Sequence, residues 1–132
     1  MRTLMKARRV DGNTGMYLHA LIATVGLDAI AGVWLFVSAL LFHRGVDYLF
    51  INNLACGALV VILAFGAFAH VWFAWLPAAI GAWVMVSPLV WRFTDNTMGT
   101  WNNVVTGIVI LVLAVESYTV KKTARDAGVS ED

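Results

Sequence analysis

Gly81-Ala82-Trp83-Val84-Met85-Val86-Ser87-Pro88-Leu89-Val90-Trp91 decides the reading of this chain. It carries no charge and no polar side chain except the Ser87 hydroxyl, apart from the tryptophan N–H groups. An echo precedes it at Gly32-Val33-Trp34-Leu35-Phe36-Val37-Ser38-Ala39, where Gly, Trp and Ser recur at an offset of 49. Downstream, Asn52-Asn53 returns as Asn102-Asn103, Gly57 as Gly107, Leu63 as Leu113 and Ala64 as Ala114, all at an offset of 50. One residue has been added to the second loop. The chain therefore reads as two copies of one hairpin.

Composition places that hairpin in a membrane. Of 132 residues, 61% are hydrophobic and 13% charged, against about 45–50% and about 25% in soluble domains. Apolar runs extend over residues 27–42, 48–71, 77–91 and 101–120, the lengths of short to ordinary membrane helices. The fold expected is all-α: four transmembrane helices as two tandem two-helix repeats, 27–71 and 75–120. Residues 1–15 form a basic arm. Residues 16–26 form an interfacial helix or an extension of the first span, with a joint at Gly26–Asp28. Residues 121–132 form a charged tail that frays. A cleaved secretory signal fits poorly, because apolar character continues past Ala29-Ile30-Ala31 to Phe42.

Charge gives an orientation. Of nine Lys and Arg, four lie at the start (Arg2, Lys6, Arg8, Arg9) and three at the end (Lys121, Lys122, Arg125). Only Arg44 and Arg92 lie between. Four spans put both termini on one side, and the positive-inside rule makes that side cytoplasmic. The location expected is a prokaryotic cytoplasmic membrane. The aromatics sit in the apolar runs and not among the basic residues, which excludes a nucleic-acid surface.

The repeat resembles the SPW-repeat family of small prokaryotic membrane proteins, named for a Ser-Pro-Trp motif in the first of two transmembrane helices. The resemblance covers roughly residues 27–117. The second copy has Ser87-Pro88 with the tryptophan displaced to Trp91. The first keeps Ser38, with Ala39 in place of proline and Phe42 where Trp91 falls. The resemblance implies a membrane location and a repeat architecture, and no catalytic activity.

The motif also reads without the family. Pro88 cannot donate to the carbonyl of Val84 and its ring crowds that turn, so a kink or helix end is expected there. Ser87 is expected to bond the Trp83 carbonyl. Trp91 and Trp101 suit the membrane interface. Gly32, Gly57, Ala78, Gly81, Ala82, Gly107 and Ala114 are the small residues expected along helix seams. Asn52, Asn53, Asn102 and Asn103 stand where the second and fourth spans start, which suits capping, hydrogen bonds between helices, or a symmetric polar pocket. Asp28 and Glu116 are the acids nearest the membrane, placed toward its cytoplasmic edge for capping or snorkelling.

Catalytic chemistry has no constellation here. Cys56 is single and lies in an apolar run, so neither an internal disulfide nor a cysteine metal site is expected. His19, His43 and His70 lack metal-ligand spacing; His70 near Trp72 and Trp75, and then His19, are the positions at which a haem or pigment could be ligated. No cofactor is required, and lipid is the expected neighbour. The function expected is a non-enzymatic structural or accessory subunit of a larger membrane complex, or a homo-oligomeric scaffold. A component of a small-solute or ion transporter or channel is the first alternative, and a pigment- or haem-carrying subunit the second.

Overall fold

The computed structural model describes residues 1–42, 45, 47–66, 69–70, 73, 75–92 and 95–128. His43, Arg44 and Trp72 lie outside the described residues. Four α-helices account for nearly all of the rest: α1 Arg2–Phe42, α2 Asp47–Gly66, α3 Leu76–Val90 and α4 Thr97–Asp126.

The helices differ from the sequence expectation chiefly at their ends. Instead of starting near residue 27, α1 runs unbroken for 41 residues. Residues 1–15 and 16–26 are thus one helix with the first span, and Gly26–Asp28 is no joint. Within the apolar stretch, which begins at Thr14, a solvent that cannot hydrogen-bond the backbone favours continuous helix, and outweighs the roughly 1 kcal/mol that an interior glycine costs. Asp28 therefore caps nothing. It lies within α1, 2% exposed.

Capping residues set the other boundaries. Pro77 sits in the first turn of α3, where its missing N–H is harmless. Asn96 caps α4: its side chain accepts from the Gly99 amide at 3.0 Å. That places the start of α4 four residues earlier than expected. It also puts Asn102 and Asn103 in the second turn, where they are not caps. Asn52 and Asn53 lie equally far into α2, which begins at Asp47. At the far end α4 continues to Asp126, and the expected fraying from residue 121 does not occur there, since Lys121 and Ala124 are buried.

Among the described residues, three helices are long and apolar enough to cross a membrane: Thr14–Phe42, Tyr48–Gly66 and Thr97–Asp126. The fourth apolar helix, α3, has 15 residues, about 22 Å at 1.5 Å per residue. α1 packs against α2 and α4, and α3 against α4 and more lightly α2. The shared core is Ala31, Leu35, Cys56, Val60, Val84 and Ile110, with Ile80 against it. Outside, large apolar side chains face away from the protein, among them Ile30, Ile62, Leu89 and Trp101. Inside, Ser38, Asn53, Ser87 and Asn103 are fully buried. Polar groups inward and apolar groups outward is the arrangement that lipid imposes.

Glycines bring the helices of each repeat together. A Cβ on Gly57 would lie 2.6 Å from the Gly32 carbonyl oxygen, and one on Gly107 would lie 2.6 Å from that of Gly81. The α1–α2 and α3–α4 seams are thus the same contact made twice. Gly26, by contrast, has nothing within 4 Å of its missing Cβ. Alanine substitution should therefore have opposite signs. Gly57→Ala and Gly107→Ala are each expected to destabilise the protein by about 1–3 kcal/mol through overpacking. Gly26→Ala should stabilise it by up to about 1 kcal/mol. Reversible unfolding in mixed micelles checks this; equal effects at the three positions would contradict the close-contact reading.

Candidate functional site

The repeated sequence motifs meet at one place. Trp34 and Ser38 lie one turn apart on α1, and Trp83 and Ser87 do the same on α3. Asn52 and Asn53 project from α2, and Asn102 and Asn103 from α4. All eight belong to one hydrogen-bonded network.

At its centre two carboxamides bond reciprocally. Asn53 Nδ2 donates to Asn103 Oδ1 at 2.7 Å, and Asn103 Nδ2 donates to Asn53 Oδ1 at 2.8 Å. Both residues are fully buried. Each amide also donates to the serine of its own repeat: Asn53 to Ser38 Oγ at 3.4 Å and Asn103 to Ser87 Oγ at 3.1 Å. The neighbouring asparagines cross over. Asn52 Nδ2 donates to Ser87 Oγ at 3.2 Å, and Asn102 Nδ2 donates to Ser38 Oγ at 3.0 Å.

The tryptophans complete the pattern, again across the repeats. Trp34 Nε1 donates to Asn102 Oδ1, and Trp83 Nε1 donates to Asn52 Oδ1, both at 2.9 Å. Asn52 also donates to Asn53 Oδ1 at 3.1 Å, and the Cys56 thiol lies 3.9 Å from Asn52 Oδ1. The serine hydroxyls spend their protons on their own helices, on Leu35 O at 2.7 Å and Val84 O at 2.8 Å.

That last bond corrects the expected role of Ser87. It serves the carbonyl of Val84, three residues back, and not that of Trp83. Val84 is the residue whose carbonyl Pro88 cannot serve, since proline has no N–H. Ser-Pro is therefore a self-contained repair: the serine supplies the hydrogen bond that the proline removes. Its oxygen then accepts from Asn52 and Asn103. α3 ends two residues after Pro88, where the Trp91 amide bonds Ser87 O at 2.9 Å. Ser38 makes the same bond on α1 without a proline after it.

Aromatic rings sit beside the network. Trp34 meets Phe42 edge-on at 6.4 Å, and Trp83 meets Trp91 likewise at 6.4 Å, so Phe42 and Trp91 are equivalent in space as in sequence. Tyr48 stacks on Trp91 at 5.2 Å. Trp34 and Trp83 each combine an exposed, interface-type ring with a hydrogen bond to the opposite repeat. Their tie to the opposite repeat had no signal beyond the shared offset.

The remaining singled-out residues lie apart from the network. His19 and His70 are exposed, on α1 and after α2 respectively. Glu116 is exposed on α4 while Asp28 is buried on α1. No group of three or more metal-type ligands occurs among the described residues. One apolar groove of about 430 Å³ runs between α1 and α4, with Leu27, Trp34, Val109 and Leu113 in its walls.

The network has every donor of its central amides engaged, so its members should be coupled. Replacing one of Asn53 and Asn103 by Leu strands the other in an apolar core, expected to cost about 1–3 kcal/mol. Replacing both removes the stranded group, so the double variant should be less destabilised than the sum of the singles. A double-mutant cycle by unfolding in micelles measures this; strict additivity would mean that the pair contributes nothing as a pair.

No curated protein and no solved structure matches the chain. A family model, the SPW repeat domain, matches residues 23–117, the stretch that contains all eight network residues and both glycine seams. This chain belongs to the SPW repeat family.

Proposed function

We propose that this protein is a non-enzymatic structural or accessory component of a prokaryotic cytoplasmic membrane. In this reading it is a four-span bundle with both termini cytoplasmic. It packs against a larger membrane complex or against further copies of itself.

One observation carries the reading. The asparagine, serine and tryptophan groups that bring the two repeats together satisfy one another, while the outer surface offers large apolar side chains. A central network closed on itself points to the exterior for function. The side chains that would have to line a central pathway are the asparagines, and their amides are tied to one another across the bundle in the second turns of α2 and α4. This weighs against transport through a single copy. The exposed His19 and His70 give no enclosed seat for a haem or pigment.

The four-span count rests on α3, which is short. Tryptophans at both of its ends, Trp75 and Trp91, are half-exposed and suit the two headgroup levels. A helix of this length spans with local thinning of the bilayer. The orientation rests on the seven basic residues near the termini against one in each opposite loop.

The test is gentle affinity purification of the tagged full chain from its native membranes, with mass spectrometry of what accompanies it. Stoichiometric recovery of a larger membrane complex is the expected result for an accessory subunit, and a defined homo-oligomer for a scaffold. Recovery of the monomer alone, under conditions that preserve known assemblies, would overturn the proposal.

A further inference from the structure

The helices offer unequal apolar lengths to lipid. The hydrocarbon layer of a typical bilayer is about 30 Å thick. On α1 the apolar stretch Thr14–Phe42 has 29 residues, about 43 Å at 1.5 Å per residue. On α2 the stretch Tyr48–Gly66 has 19, about 28 Å. α3 has 15, about 22 Å. The longest and the shortest stand at opposite corners of the bundle, since α1 and α3 each pack on α2 and α4.

The difference lies at the end of the bundle that carries the termini. At the other end the two copies are level. α2 starts at Asp47 and α4 at Thr97, equivalent positions at the offset of 50. α1 ends at Phe42 and α3 at Val90, within one residue of equivalence at the offset of 49. At the termini end, α3 starts at Leu76, whose equivalent Leu27 lies deep within α1. α2 ends at Gly66, whose equivalent Glu116 lies ten residues before the end of α4. The α1–α4 side of the bundle therefore stands higher here than the α2–α3 side.

The loop cannot raise the low side. Residues 67–75 carry no formal charge, so composition alone would admit them to the hydrocarbon. Their described backbone is turn: the Ala69 and His70 amides bond Gly66 O, and the Phe73 amide bonds His70 O. Irregular backbone is not tolerated against lipid. The hydrocarbon beside α3 is thus bounded by Trp75 and Trp91, both half-exposed and suited to headgroup depth. Between them Trp83, Val86 and Leu89 give α3 an apolar outer side.

Tilting does not remove the mismatch. A tilt that shortens the reach of α1 shortens that of α3 as well, because the two belong to one bundle. Thinning the bilayer all round would put the lower part of the exposed apolar strip of α1, with Met16, Leu18 and Ile22, into water. The remaining response is a graded one, in which the leaflet on the termini side slopes from thick at α1 to thin at α3.

We propose that this protein thins the bilayer along α3 and collects there phospholipids with short hydrocarbon chains. A short chain fills the thinned layer without being compressed, which lowers the cost of mismatch. What is recognised is chain length and not the headgroup. The inference rests on the four-span arrangement proposed above, and does not depend on the accessory or scaffold role.

Tryptophan quenching by brominated lipid tests this on the full chain. Vesicles hold equal parts of two phosphatidylcholines, with chains of about 14 and about 20 carbons to bracket the mismatch, and one or the other is brominated. The fluorescence removed by Trp75→Phe reports the lipid at α3. The fluorescence added by Ile22→Trp reports the lipid at α1 in the same leaflet. Trp75 is expected to be quenched roughly two- to fivefold more by brominated short-chain lipid than by brominated long-chain lipid, with no such excess at position 22. Equal quenching of Trp75 by the two lipids would overturn the proposal, and so would the same excess at both positions. Leu89→Trp, at an exposed position on α3, repeats the α3 measurement if Trp75→Phe does not fold. The span is checked separately, with a membrane-impermeant maleimide applied to either side of sealed native membranes carrying Trp75→Cys or Trp91→Cys; the native Cys56 is buried. Labelling from opposite sides supports the span, and equal quenching then counts against the thinning alone. Labelling of both from one side would overturn the four-span arrangement and this proposal with it.

Discussion

Asn53 and Asn103 exchange two hydrogen bonds across the join between the repeats, and the arrangement of the four helices depends on that exchange. In lipid, apolar side chains gain little by leaving their surroundings for one another. Packing and hydrogen bonds must therefore choose one arrangement of helices among many. A single bond between membrane helices averages only about 0.6 kcal/mol. Here the bonds are numerous, and those of the central Asn53–Asn103 pair are buried. Slipping either repeat by one residue would bury several unmatched amide groups together. The contribution of the network is chiefly to specificity, because wrong registers are penalised more than the right one is rewarded.

The glycines and the network divide the work. Gly32 with Gly57, and Gly81 with Gly107, join helices within a repeat through close backbone contact. The crossed bonds from Trp34 to Asn102 and from Trp83 to Asn52 join one repeat to the other. Each half thus holds donors and acceptors that it cannot satisfy alone. The proline fits the same scheme: it frees one carbonyl, and the serine that repairs it also accepts from both repeats. In the first copy Ser38 does the same with Ala39 following. The serine is therefore the part that the network needs, and the proline is an elaboration of one copy.

Much of this was legible in the sequence. Hydrophobic runs showed helices, and the offsets of 49 and 50 showed the repeat and the glycine seams. The asparagines stood out because they recur in apolar surroundings. Which repeat each would face was not legible, because an offset pairs equivalent positions and says nothing about contacts between them. The extent of α1 was not legible either. Gly12, Asn13, Gly15, Gly26 and Asp28 carry the local signals of a helix boundary, and α1 runs through all of them. Asn96, whose cap sets the start of α4, looked like one more residue of a polar loop. Local propensity is a weak prior, and tertiary and solvent context overrode it at these positions.

The same core is closed at one level and open at another. At the level of the asparagines, symmetry supplies each donor with an acceptor, because every residue meets the complement of its own copy. Asp28 and Ser117 lie where the copies have diverged, with Pro77 and Ala67 in the equivalent positions. A duplicated hairpin can satisfy its polar groups by symmetry only while both copies keep them. A polar residue gained by one copy, or lost by the other, has no counterpart to bond. In a membrane core such a group is costly unless something outside the repeat answers it. Divergence between the copies is therefore what leaves polar groups of this fold outside the symmetric network, which is complete in itself.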